Sequence, residues 1–131
     1  GQSTSNPNSI AQAATIEALL GPQDSVGEMT AEFGRRRDYV MERLAEIRGV
    51  TCATPRGAFY AFPNVSEHYG RTLDGRKIGG SLDLAEYLLE KALISLVPGE
   101  AFGAEDYIRI SFATSMEALD MGLTRLKDAL A

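Results

Sequence analysis

The chain has 131 residues, 44% hydrophobic and 24% charged, a balance that suits one globular domain with a modest core. Its net charge of −5 argues against nucleic acid and against anionic membrane as main partners. A single cysteine, Cys52, and a single histidine, His68, leave almost no material for a disulfide, a cysteine-based metal site or a Ser-His or Cys-His catalytic arrangement.

No apolar run is long enough to span a bilayer, and no signal peptide is visible, so a cytoplasmic setting is expected. The chain opens on a polar stretch, Gln2 to Asn8, without a starting methionine, which suggests a piece of a longer protein. Ser9 to Gln12 has capping-box spacing, and an alanine-rich helix runs from there to the stop at Gly21-Pro22. Ser25 to Glu28 opens a second, long helix whose apolar positions Met29, Phe33, Val40, Leu44 and Ile47 form one stripe, expected to run to Arg48 and end at Gly49. Arg35, Arg36 and Arg37 fall in it and read as a solvated face.

Val50 to Ala53 is a short candidate strand, Thr54 to Gly57 a turn, and Ala58 to Pro63 a second strand. Residues 66–80, rich in glycine and polar groups, read as a mobile surface loop that includes His68 near its start. Ser81 is the expected cap of a third helix with Ala85, Leu88, Leu89 and Ala92 inward. A short strand over Ile94 to Val97 ends at Pro98-Gly99, and Leu119, Leu123, Leu126 and Leu130 mark a final helix. The element order predicts an α+β fold: a small mixed or antiparallel sheet with helices packed on one face.

The stretch Tyr107 to Ser115 carries the most information. Ile108, Ile110 and Phe112 alternate with Tyr107, Arg109, Ser111 and Ala113, as in a strand with one buried face. Thr114 and Glu117 have the offset of a capping box for the helix that follows. Arg109, between two isoleucines, needs an anionic or polar partner near the core, and its planar fork matches a carboxylate. That partner could be a ligand, an internal Asp or Glu, or solvent. Elsewhere there is no metal-ligand cluster, no phosphate-cradling glycine loop and no carboxylate pair set up for acid–base work. Lys77, Lys91 and Lys127 all look exposed.

Four segments occur together: Gln2 to Gln12, Gly57 to Tyr60, Val97 to Gly103, and Tyr107 to Ser115. In this order they resemble the C-terminal third of class I and II, fold type I aminotransferases, nearest the bacterial aspartate aminotransferases. The resemblance implies a pyridoxal-phosphate enzyme that moves amino groups between an amino acid and a 2-oxo acid, as a homodimer. It implies that Arg109 grips the substrate α-carboxylate, that Phe59 lies close to bound substrate, and that Ser5 and Asn6 run near the dimer interface and cofactor site. It also implies that the Schiff-base lysine and the phosphate-binding groups lie upstream of Gly1, leaving this chain inactive alone. Residues 1–48 would then be interdomain loop and helices, and 49–131 a small α+β domain. A free-standing carboxylate-sensing module is the alternative, as is a related decarboxylase or C–S lyase.

Overall fold

The computed structural model describes residues 26–92 and 95–131. Among them, helices α1 (Val26–Ala45), α2 (Ser81–Lys91) and α3 (Met116–Leu130) surround strands β1 (Tyr60–Ala61), β2 (Thr72–Leu73), β3 (Arg76–Lys77), β4 (Leu96–Pro98) and β5 (Ile108–Ser111). The helix expected after Ser9, and Ile94 in the strand expected over Ile94 to Val97, lie outside the described residues. Strands β1, β5 and β4 form an antiparallel sheet in that order, and β2 pairs with β3 as a separate hairpin. The arrangement is α+β, as the element order predicts.

Strand β5 is the centre of the sheet because its alternation gives it one wholly apolar face. Ile108, Ile110 and Phe112 are fully buried among Val40, Leu44, Leu84, Leu88, Leu119, Leu123 and Leu126. Burying one such side chain contributes about 1.5–3 kcal/mol relative to leaving it in water. The register sets Tyr60 opposite Ser111 and Val97 opposite Arg109, so these four side chains share the other face. All four are half-buried.

Local chemistry moves several boundaries. Helix α1 ends at Ala45 rather than Arg48, because the amides of Glu46 and Ile47 bond back three residues to Arg43 and Leu44 and tighten the last turn. Gly49 then takes a φ of +80°, a left-handed conformation that suits glycine. The strand expected over Val50 to Ala53 contracts to one bridge, Thr51 to Asn64. The cap of α3 is Ser115, whose hydroxyl accepts from the Ala118 amide at 3.1 Å, and not Thr114. Leu119, Leu123, Leu126 and Leu130 of α3 are all buried, as their spacing predicts.

Ser81 is the first residue of α2, not its cap. The Glu105 carboxylate does the capping: it accepts from the Ser81 amide at 3.1 Å and from its hydroxyl at 2.7 Å. The buried stripe of α2 is Leu84, Ala85, Leu88 and Ala92, while Leu89 is 48% exposed, about 100° round the helix from Leu88.

Residues 66–80 are not a mobile loop. Ser66–His68 is a 3-10 turn, and β2 and β3 form a hairpin with a two-residue turn at Asp74 (φ 53°) and Gly75 (φ 82°), the backbone an Asp-Gly pair favours. Leu73 and Ile78 are buried in the core and fasten it. His68 is 4% exposed, with Nε2 against the Arg48 carbonyl at 2.9 Å and Nδ1 against the Arg71 guanidinium at 2.7 Å.

Candidate functional site

The half-buried sheet face around Arg109 is the candidate site. The Arg109 guanidinium carbon lies 4.4 Å from the Tyr60 ring centroid, a cation–π stack. Stacking uses the flat face of the fork and leaves its N–H edges clear. Among the described residues the Arg109 guanidinium has no ion pair and no hydrogen bond to another protein group, while its backbone pairs with Val97 in the ladder. Of the partners open to it on sequence, no internal carboxylate among the described residues is used. A half-buried, edge-free guanidinium on a rigid strand can receive a carboxylate through two parallel hydrogen bonds.

Around it the surface is aromatic. Phe62, two residues beyond Tyr60, packs edge-on to Phe102 with centroids 5.7 Å apart, and both are more than a third exposed. Tyr107 is exposed beside a groove that also takes in Cys52, Pro55 and Asn64. The Cys52 thiol is pushed up by burial and donates to the Ala53 carbonyl, so it stays a thiol rather than a nucleophile.

Phe59 does not share Arg109's face. Its ring is 7% exposed, packed 4.9 Å from Phe33 and 5.3 Å from Phe112 between sheet and α1. Its carbonyl accepts from the Phe112 amide at 2.9 Å, continuing the ladder between β1 and β5. The residue brought to Arg109 is its neighbour Tyr60, and strict alternation along Ala58 to Ala61 would have found it. Ser5 and Asn6 lie outside the described residues.

Arg36 departs from the solvated face expected of it. It is 4% exposed, pairs with Glu32 one turn earlier, and donates from Nε to the Thr114 carbonyl at 2.8 Å. Burial lowers its pKa, and Glu32 holds the charge in place.

The lysines offer nothing for imine chemistry. Lys91 hydrogen-bonds Asp74 at 2.8 Å, an interaction that raises its pKa, and Lys127 pairs with Glu46. Lys77 is exposed on the hairpin. No group of His, Cys, Asp and Glu among the described residues could hold a metal ion.

An antiparallel sheet of β1, β5 and β4 with helices around it, and an arginine without an ion pair among the described residues, define an α+β domain. The chain belongs to the aminotransferase class I and II family, whose model matches residues 2–126. It is 46% identical over 129 residues to a probable aspartate/prephenate aminotransferase of Rickettsia felis and to an aspartate aminotransferase of Rhizobium meliloti, covering 98% of this chain and 32% of each relative. The crystal structure of the aspartate aminotransferase from Rhizobium meliloti superposes with a TM-score of 0.77 at 44% identity, over 93% of this chain and 31% of that one. A Pyrococcus furiosus alanine aminotransferase superposes at 0.66 and 28% identity, over 86% of this chain and 27% of that one. The chain thus spans about a third of the length of the relatives it matches. Membership of this family does not favour the free-standing sensory module. The family implies pyridoxal phosphate, but the described residues do not fit that group, because no lysine among them sits in apolar surroundings that would free its amine.

Proposed function

We propose that this chain is the carboxylate-gripping C-terminal part of a pyridoxal-phosphate-dependent aminotransferase, with aspartate as the preferred amino donor. Residues 49–131 form its small domain, and residues 1–48 join that domain to the rest of a longer, homodimeric, cytoplasmic enzyme. The cofactor and its lysine belong to that remainder. The observation that supports the reading is the Arg109 fork, without an ion pair among the described residues and stacked on Tyr60, within a strand whose sequence resembles the family's motif.

In this role Arg109 positions substrate. A two-pronged grip on the α-carboxylate fixes both the place and the rotation of the amino acid, which a point charge cannot do. Phe59 acts from the other side of the sheet, where its buried ring supports the strand that carries Tyr60.

The test is made on the full-length protein, with aspartate and a 2-oxo acid as substrates. Arg109→Lys is expected to raise KM for both by about 10- to 100-fold, the equivalent of about 1.5–3 kcal/mol for a charge-assisted pair. Transamination with an unchanged KM would overturn the assignment of Arg109. The present chain alone should show no transamination, and borohydride should trap no stoichiometric pyridoxal phosphate adduct on its three lysines.

A further inference from the structure

Helix α1 touches the end of β5 at two points. Phe33 packs on Phe112 with centroids 5.9 Å apart, and Arg36, one turn further on, donates to the Thr114 carbonyl. Beyond Ser111 the buried Phe112 ring anchors the chain in the core, but few backbone bonds hold it to the sheet. The β1–β5 register covers only Tyr60 with Ser111 and Ala61 with Ile110, and past it the ladder keeps one bond, from the Phe112 amide to the Phe59 carbonyl. The Thr114 carbonyl lies one residue ahead of the Ser115 cap, outside the α3 ladder, so Arg36 supplies its hydrogen bond.

This contact is unusual in its cost. A guanidinium and a carboxylate, Arg36 and Glu32, are both taken out of water where two apolar side chains would pack as well. What the pair achieves that apolar residues cannot is a directed bond to one named carbonyl, 78 residues away in sequence. That carbonyl lies three residues beyond the strand whose Ser111 sits across from Tyr60, and Tyr60 is the surface on which Arg109 rests.

We infer that Arg36, oriented by Glu32, is a positioning residue for substrate binding: it clamps the end of β5 and so fixes the Tyr60–Arg109 stack. The inference rests on the functional reading above, in which Arg109 holds the substrate carboxylate. Substrates of both half-reactions carry an α-carboxylate, so loss of the clamp should weaken both alike and leave cofactor binding as it is.

Two variants of the full-length protein test it. Arg36→Lys keeps a cation beside Glu32 but loses the Nε–H, and Glu32→Leu with Arg36→Met removes the pair without stranding a buried charge, since Arg35, the other partner of Glu32, is exposed. Each is expected to raise KM for amino and 2-oxo acid by roughly tenfold, with kcat within about twofold, assayed well below the melting temperature. Amide hydrogen exchange at Ser111 and Phe112 should quicken about tenfold in both variants, with α2 unchanged. Should the double variant not fold, Arg36→Lys carries the test alone. Wild-type KM values, or a loss confined to kcat, would overturn the inference. So would unchanged exchange at Ser111 and Phe112, a result that can be read even if the unmodified protein proves not to be a transaminase. In that last case the functional reading fails, and the exchange data still decide whether the clamp exists.

Discussion

The Tyr60 ring lies directly under the Arg109 guanidinium, 4.4 Å from centroid to carbon, and no protein carboxylate competes for the fork among the described residues. A cation–π contact of this kind contributes about 0.5–1 kcal/mol when exposed and about 2 kcal/mol when desolvated. On the proposed function, Tyr60→Phe in the full-length protein should leave substrate KM within about twofold, because the ring face remains. Tyr60→Ala should raise it by roughly 2- to 30-fold, the same energies expressed as a ratio. Steady-state kinetics on the two variants decide the matter, and equal KM values would show that the ring is not a support.

How much of this was legible in the sequence depends on how local each signal is. Strand β5 and the α3 leucines could be read because one-sided burial writes a period of two or of about 3.6 into consecutive residues. The hairpin was missed although Thr72-Leu73-Asp74-Gly75-Arg76-Lys77 contains an Asp-Gly turn, because its strands are two residues long and mostly exposed. Arg36 was misread for a different reason. A run of three arginines has the pattern of a solvated face, and the carbonyl that draws one of them inward is far along the chain. The carboxylate role proposed for Arg109 comes from motif likeness, while its stack on Tyr60 needed the register of β1 on β5.

Gly99 is fixed by close approach. A Cβ there would fall 1.8 Å from the Ala104 carbonyl oxygen and 2.3 Å from that of Tyr107, and both are backbone. The Gly99 amide donates to the second of these at 2.8 Å, which holds the loop against the start of β5. Gly99→Ala should therefore destabilise by about 3 kcal/mol, the upper range for overpacking a site that cannot yield. Gly103→Ala, at a φ of +76° with open space around it, is strained only in its backbone and should cost about 1 kcal/mol. Urea unfolding of the two variants side by side would show the difference, and equal midpoints would contradict it.

His68 gives the fold a dependence on pH. Burial lowers its pKa from the ordinary 6.5, the Arg71 guanidinium adds to the lowering, and the Arg48 carbonyl and Glu67 oppose it. Lys127 and Glu46 line the adjoining cavity. With Nε2 donating to the Arg48 carbonyl, Nδ1 accepts from Arg71, and a second proton would set two donors face to face. The unfolded chain takes up that proton more readily than the folded one. The stability His68 contributes is thus complete above the unfolded pKa near 6.5 and declines as pH falls from there through the lower folded value. Urea midpoints between about pH 7.5 and about pH 5 should drop more steeply for the wild type than for His68→Gln, which has no such proton to gain. Parallel profiles would exclude His68 as the source.

Glu105 and Gly80 should show strong coupling. The Glu105 carboxylate caps α2 through the amide and hydroxyl of Ser81, while a Cβ at Gly80 would come within 2.1 Å of its Oε2. Gly80 itself is extended, with a φ of −178°, so its backbone admits any residue. Glu105→Ala should cost about 1–2 kcal/mol for the lost cap. Gly80→Ala should cost a similar amount, because the new methyl group displaces the same carboxylate. Once Glu105 is gone there is nothing left to displace, so the double variant should be no less stable than Glu105→Ala alone. A double-mutant cycle by thermal or urea unfolding measures this as an interaction energy of about 1 kcal/mol or more. Simple additivity would mean that the carboxylate is not what stands in the way at Gly80.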